Sequence, residues 1–355
     1  MKKILMMVAA AMMAVMNVSA QRLQVVDSDG QGIPLVSILT EDGNYIGKTD
    51  LDGVIADVKG AAKVALTHVA YKPQLVTVAS LPNGRVVMED LNFGIAEIVI
   101  TPKPFIYVED FYRVYVYRND SLCFFRSGIM PNAYDPKKKK LEQGSYYQAY
   151  VEHCQKMGPA ATWFVRSKDL GAGKVAIGSL QKIEEQMKDK YYVKTAEKGA
   201  NHKTYSNQKG TVGQLVSTGN QIRMTLDAGK MQMHANQVKG EKKLLEKRKE
   251  MDYDYQYTRI YADNEEKDYD ITSFIMESDH WEYNDKKSHV KFIIENYATD
   301  HYYMNKEEWK AKKKEMKETY GSSVSLDKVE EYATSHNIPA LSSSTRQAIK
   351  KLRQW

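Results

Sequence analysis

Cysteine is scarce in this chain: Cys123 and Cys154 are the only two among 355 residues, beside 8 histidines and 9 prolines. Two thiols are too few for a disulfide-dense scaffold. The patterns H-E-x-x-H, C-x-x-C and G-x-S-x-G are missing, as is a phosphate-cradling glycine loop. Zinc peptidase, dithiol, nucleophile-elbow and nucleotide chemistries therefore leave no signature, and no cofactor or metal is expected. His153-Cys154 sets a base beside a thiol, but sequence neighbours are not spatial partners and no motif surrounds them. Strong charge of one sign is also lacking, since the net formal charge is +6. The mixed Lys/Glu stretches 241–250 and 306–317 read as solvated faces, which argues against a nucleic-acid partner. After residue 16 no apolar run is long enough to span a bilayer, so no transmembrane anchor is expected.

What is present begins with an address. Met1-Lys2-Lys3, 13 apolar residues from Ile4 to Met16, and the small residues Val18 and Ala20 are the three parts of a secretory signal peptide. Residues 1–20 are expected to be removed, leaving a chain that starts at Gln21. No cysteine follows Ala20, so lipid attachment there is not supported. The expected location is the periplasm or the cell exterior, with association to the outer membrane as a further option. In that oxidising compartment Cys123 and Cys154 are candidates for a disulfide worth roughly 3–4 kcal/mol. Two separate buried thiols are the alternative. Charge divides unevenly: residues 21–100 carry 6 Lys+Arg against 10 Asp+Glu, a net of −4. With Lys2 and Lys3 removed, the rest must be +8 to reach the whole-chain +6.

From residue 23, short β-prone runs alternate with turn signals: 23–26, 35–39, 45–46, 54–58, 63–69, 75–79 and 86–88. Asp-Gly and Asn-Gly punctuation at this spacing reads as an all-β sandwich. Two loops, Asp27-Ser28-Asp29-Gly30 and Asp50-Leu51-Asp52-Gly53, hint at calcium. A loop of the EF-hand kind takes oxygens at positions 1, 3, 5 and 12. Counted from Asp50, the last two are Val54 and Ala61; counted from Asp27, they are Gln31 and Ile38. Both loops therefore read as turns, in which Asp bonds backbone two residues on and Gly supplies positive φ.

These front residues carry a family resemblance. Ile33-Pro34 with Val36 and Ile38, then Gly47, Thr49-Asp50, Asp52-Gly53 and "LTHVAYKP" at 66–73, make residues 21–101 similar to the carboxypeptidase regulatory-like domain. "LNFGIAEIVITPKP" at 91–104 resembles the usual exit from that domain in Gram-negative envelope proteins. The resemblance implies a seven-stranded transthyretin-like sandwich with no catalytic residues of its own. Such a sandwich commonly precedes nutrient receptors, peptidases and proteins of unassigned role. The chain departs from the pattern at Ala70, where Gly is usual, and at Val54, where an aromatic is common.

Pro102 and Pro104 mark a stiff boundary, and a second domain is expected over 105–355. All but Tyr45 and Tyr71 of the 24 tyrosines lie in it. The spans 105–120 and 121–130 are β-rich in propensity, while 130–145, with Pro131, Pro136 and a lysine run, reads as an exposed loop. A helix is expected over 179–190, then a hairpin turning at 227–230. "EKKLLEKRKEM" at 241–251 fits either a helix or an extended arm. Two long strands are expected over 271–283 and 289–303. Helices follow at the end: one capped by Asn305 with Glu308, one capped by Ser325, and one over 344–354. The fold class is mainly β, α+β overall: a sandwich, then a large curved antiparallel sheet with C-terminal helices.

Two features remain for chemistry. Asp279-His280, His289 and Asp300-His301 share the expected hairpin of 271–303, where His280 and His289 would approach across the strands. Zinc would still lack a third ligand there. The other is the alternation in "MDYDYQYTRIY" at 251–261, which puts Tyr253, Tyr255, Tyr257, Arg259 and Tyr261 on one face of a strand. The opposite face, with Asp252, Asp254, Gln256, Thr258 and Ile260, reads as mostly wet. The tyrosines are then core residues or, with Trp281 and Tyr283 nearby, the lining of a sugar- or lipid-binding groove. Tyr255 and Tyr257 are expected to be buried and Tyr261, near the strand end, exposed. The functional expectation is an exported, non-catalytic binding or scaffold module whose partner is an envelope protein or glycan. A lipid carrier with a half-barrel pocket is the alternative, and a hydrolase with an unrecognised site ranks last.

Overall fold

The computed structural model describes residues 22–91, 105–135, 137, 140–143, 149–155, 180–199, 201–218, 221–250, 254–262, 274–284, 289–320 and 324–354. The proposed signal peptide and the proline boundary lie outside the described residues. Seven strands form the front in two sheets. One joins β1 (Leu23–Val26) to β4 (Val54–Ile55) and β7 (Arg85–Val87). The other runs β3 (Tyr45–Lys48), β2 (Ser37–Thr40), β5 (Lys63–His68), β6 (Tyr71–Thr77). Leu23, Val25, Ile38, Val64 and Leu66 fill the space between them. Both Asp-x-Asp-Gly loops are turns. Asp27 Oδ1 accepts from the N–H groups of Asp29 and Gln31, at 3.0 and 2.9 Å. Asp50 Oδ1 accepts from those of Asp52 and Val54, at 3.0 and 2.8 Å. Gly53, at φ 74°, closes the second loop onto the carbonyl of Asp50.

Behind the sandwich, the described residues form one antiparallel sheet of twelve strands. It starts with the hairpin of β8 (Phe105–Arg118) and β9 (Ser121–Asp135), joined at Asn119-Asp120, where both residues take positive φ as a tight hairpin turn requires. Beyond β9 come β10 (Lys140–Gln143) and β11 (Ala149–Cys154), side by side along its edge. On the other flank the order is β12 (Lys194–Glu197), β13 (His202–Asn207), β14 (Gly210–Thr218), β15 (Gln221–Asp227), β16 (Asp254–Ala262), β17 (Phe274–Asn284), β18 (His289–Met304). The sheet is completed by β18 returning to pair with β8 over its full length.

Three local expectations fail for identifiable reasons. Strand β9 runs through Pro131 to Asp135, so 130–135 is not a loop. β10 pairs with residues 132–135 and β11 with 124–129, which leaves Pro131 at the gap between partners, where its missing N–H costs no ladder bond. The hairpin expected at 227–230 is a strand-to-helix junction. Asp227 caps a helix by accepting from Lys230 N–H at 2.8 Å, and its buried residues include Met231 and Ala235. The last helix starts at Ser343 on a Ser342 cap and stops at Lys350, after which β19 (Arg353–Gln354) pairs with β11.

The helices are α1 (Leu180–Tyr191), α2 (Ala228–Val238), α3 (Lys242–Glu250), α4 (Lys306–Tyr320), α5 (Leu326–Ser335) and α6 (Ser343–Lys350). Asn305 and Glu308 form a reciprocal capping box at α4, at 2.9 and 2.7 Å. The sandwich, α5 and α6 cover one face of the long sheet, where Leu39 and Tyr45 meet Tyr115, Phe125 and Ile293. Helices α1 and α2 pack on the opposite face, against Met224, Leu226, Tyr257 and Tyr261. Cys123 and Cys154 are buried thiols, held by β9 and β11.

Candidate functional site

Strand β16 sits inside the sheet between β15 and β17, so its alternation faces a covered layer on each side. Tyr253 lies outside the described residues. Tyr255 is half-buried, Tyr257 is 8% exposed and Tyr261 is fully buried. The exposure expected for Tyr261 is therefore corrected. It is paired with Ile222 on β15, and a bulge between Ile260 and Tyr261 sets it beside Phe274 on β17, well inside the cluster under α1. The other face of β16 is not wet either. Thr258 is buried against Thr225, their hydroxyls 3.1 Å apart, and Ile260 joins the core shared with the sandwich. A wet face was the natural reading of Asp254, Gln256 and Thr258; it fails because the sandwich docks there.

Between α1, α2 and β16 is a cavity of about 350 Å³. Tyr255 and Tyr257 form part of its wall with ring centroids 5.9 Å apart, and the Arg259 guanidinium stacks over the Tyr257 ring at 4.5 Å. Met187 from α1 and Met231 from α2 supply apolar walls, and Gln186 and Gln232 supply amides. Trp281 and Tyr283 lie on β17, Trp281 in register with Tyr255. Sequence reasoning found the tyrosines, with Arg259 on their face, and missed Met187, Met231 and the glutamines as lining. Asp227 as a cap, with Met231, His234 and Ala235 at helical spacing behind it, was the signal that could have revealed α2.

On the opposite face, ionic groups gather where the sandwich meets the sheet. Lys48 of β3 reaches Asp254 at 2.6 Å and Glu282 at 3.4 Å. Glu282 also contacts Lys291 at 3.1 Å and His289 at 3.3 Å, and His289 lies 3.6 Å from Asp120. The Lys291 Nζ rests 2.9 Å from the centroid of the Tyr45 ring, and burial pushes its pKa well below the usual lysine value. Burial alone would raise the Glu282 carboxyl, but the His289 hydrogen bond and the Lys48 charge outweigh it and hold the group down at about 2. His280 is pushed down to about 3, chiefly by burial. It is not a partner of His289: His280 pairs with Ile293 and contacts Ser278 at 3.2 Å, while His289 pairs with Asn284. Asp300 and His301 sit opposite Glu109 and Val108, farther along β18. These acids meet lysine and histidine at a docking seam, whereas the cavity over Tyr255 and Tyr257 is open space with mixed walls. The cavity is the candidate site.

A second buried group lies deeper in the same seam. Arg113 of β8 donates to both carboxylate oxygens of Glu330 on α5, at 2.8 and 3.0 Å, and to the Pro339 carbonyl at 2.7 Å. Beside it, burial pushes the Glu295 carboxyl up to about 7 despite the Arg113 charge. No protein-family model matches the chain, and no curated protein matches it either.

Proposed function

We propose that this chain is an exported, non-catalytic binding module of a Gram-negative envelope. In this reading a carboxypeptidase regulatory-like sandwich carries a sheet domain whose pocket takes a small amphipathic ligand. The observation that carries it is the cavity over Tyr255 and Tyr257. Its volume, about 350 Å³, lies in the range of small-molecule sites. Methionine walls adapt to irregular apolar shapes, and tyrosine rings offer flat faces with polar rims. Arg259, Gln186 and Gln232 add hydrogen-bonding groups for one polar end. A cavity under two helices suits a lipid-like molecule better than an extended glycan, which favours a flat aromatic strip. The tripartite start at residues 1–20 supports export, and seven front strands in two sheets support the family resemblance.

A glycan remains the second reading, because two amides and an arginine beside tyrosine rings also suit a sugar. Native mass spectrometry on protein purified from its own host separates the two. The expected result is a retained amphiphile that is lost in the Tyr255→Ala protein. A retained oligosaccharide would select the glycan. A chain that holds neither, and binds neither from host lipid and glycan extracts, overturns the pocket reading.

A further inference from the structure

We propose that Cys123 and Cys154 become a disulfide linking β9 to β11, formed by exchange with a disulfide of the glutathione or oxidoreductase class as the chain folds. The oxidising compartment rests on the export reading; the geometry does not. In an unbroken ladder the two side chains would point to opposite faces, because Cys154 pairs with Phe124 and Cys123 is one residue away. A bulge removes that obstacle. Val116 pairs with Phe124 and Tyr117 with Leu122, so Cys123 is the extra residue on β9.

Packing shows the consequence. Leu122 and Phe125 join the cluster on the sandwich side, with Tyr115 and Ile293. Cys123 and Phe124 both join the cluster on the other side, with Val116, Phe292 and Cys154. Two consecutive residues thus share one face, and it is the face that holds Cys154, whose thiol donates to the Gln155 carbonyl at 3.0 Å. The Gln155 N–H donates to the Cys123 carbonyl at 2.8 Å, which clamps the backbones beside the pair. Directly opposite residues on antiparallel strands sit about 4.5–5.5 Å apart at Cα, and one step along the strand adds a rise of about 3.3 Å. The offset pair comes to roughly 6 Å, near the middle of the roughly 4.4–6.8 Å that a disulfide bridges.

The exchange balances without further reagents. One cysteine thiolate attacks a sulfur of the external disulfide, whose S–S bond breaks and releases one thiol after it takes up a proton. The second cysteine then attacks the mixed disulfide, forming the Cys123–Cys154 bond and releasing the second thiol. Two protein thiols are oxidised and one external disulfide is reduced. In the folded chain burial and the neighbouring Cys154 push the Cys123 thiol up to about 12, which makes it a poor nucleophile there. Exchange is therefore fastest while β9 and β11 are open, and only a pairing that the closed strands accommodate persists in the folded chain, where both sulfurs are buried. It closes a loop that contains β10.

The test is refolding of the full chain in glutathione disulfide or in reduced glutathione, followed by alkylation in denaturant and intact-mass measurement. It needs no assumption about compartment, so its failure is separable from failure of the export reading. The expected oxidised product takes up no alkyl group, weighs two hydrogens less and melts several degrees higher than the reduced one. A natively folded oxidised product that takes up two alkyl groups overturns the proposal. The Leu122→Cys, Cys123→Ser protein checks the bulge: its thiol sits on the sandwich side and should not couple to Cys154. Equal coupling in that variant would also overturn the assignment.

Discussion

On the sandwich side of the long sheet, opposite charges meet: Arg113 is buried with Glu330, and Lys48 lies between Asp254 and Glu282. On the helix side, under α1 and α2, the same strands present tyrosine and methionine, and a cavity remains open. A face occupied by ion pairs and covered by the sandwich leaves little room for a ligand. A face built from aromatics and thioethers retains both space and adaptable walls. The difference sets a docked side against the side where we propose binding.

The largest effect should come from breaking the docked face at Arg113. Arg113→Met leaves Glu330 buried, with Arg346 at 3.7 Å as its remaining cationic neighbour among the described residues. Loss of one partner from a buried pair typically costs about 3–5 kcal/mol. Urea unfolding of the single variant should show that loss, and adding Glu330→Leu should recover most of it. If the single variant unfolds like the wild type, the pair does not hold α5 to the sheet.

Next in size, on the helix side, is Tyr261→Ala. The ring is fully buried, so truncation should cost about 3–5 kcal/mol by thermal or urea unfolding. Tyr261 is not part of the cavity wall, so ligand affinity per folded molecule should stay the same. A loss under about 1 kcal/mol would return Tyr261 to the exposed position that its place near the strand end suggests.

Much of this architecture was legible. Asp27 and Asp50 bond their own turns, Asn305 and Glu308 form their box, and the long strands 274–284 and 289–304 pair as neighbours in the chain. These are local signals, settled within a few residues. What was not legible depends on partners distant in sequence. Thr258 and Ile260 look half-wet until the sandwich docks on them, and Pro131 looks like a loop residue until β10 and β11 are seen to leave a gap there. Half of the site was readable for the same reason: the tyrosines alternate along one strand, whereas Met187 and Met231 arrive on helices that fold back over it.

A third test uses pH on the docked face. Glu295 faces Arg113, Tyr115, Tyr297 and Glu330, and burial lifts its carboxyl from an ordinary 4.5 to about 7. The native chain then holds a proton that the unfolded chain releases between those values. Stability from this group is full below about 4.5 and is lost as pH rises through about 7. His280 and Glu282 act oppositely, since their lowered values make stability fall towards acid. The clean measurement is therefore a difference. Glu295→Gln should gain on the wild type by about 1–3 kcal/mol between pH 4.5 and pH 7.5. A flat difference would mean that Glu295 is ionised in the folded chain across this range.

The smallest effect on folding, and the largest on binding, is expected at Tyr255. Its ring is half-buried and forms part of the cavity wall beside Tyr257. Truncation to Ala removes contacts that solvent partly replaces, so unfolding should shift by about 1 kcal/mol, near the surface range. An aromatic in a ligand wall contributes far more to affinity, about 2 kcal/mol or roughly 30-fold in Kd. Tyr255→Ala and Tyr261→Ala should therefore behave as mirror images: one folds normally and binds poorly, the other folds poorly and binds normally. Calorimetric titration with the retained host ligand, run beside urea unfolding, reads both axes on the same preparations. If Tyr255→Ala loses stability as Tyr261→Ala does and keeps its ligand, the tyrosine row is core along its whole length. The binding surface must then lie elsewhere.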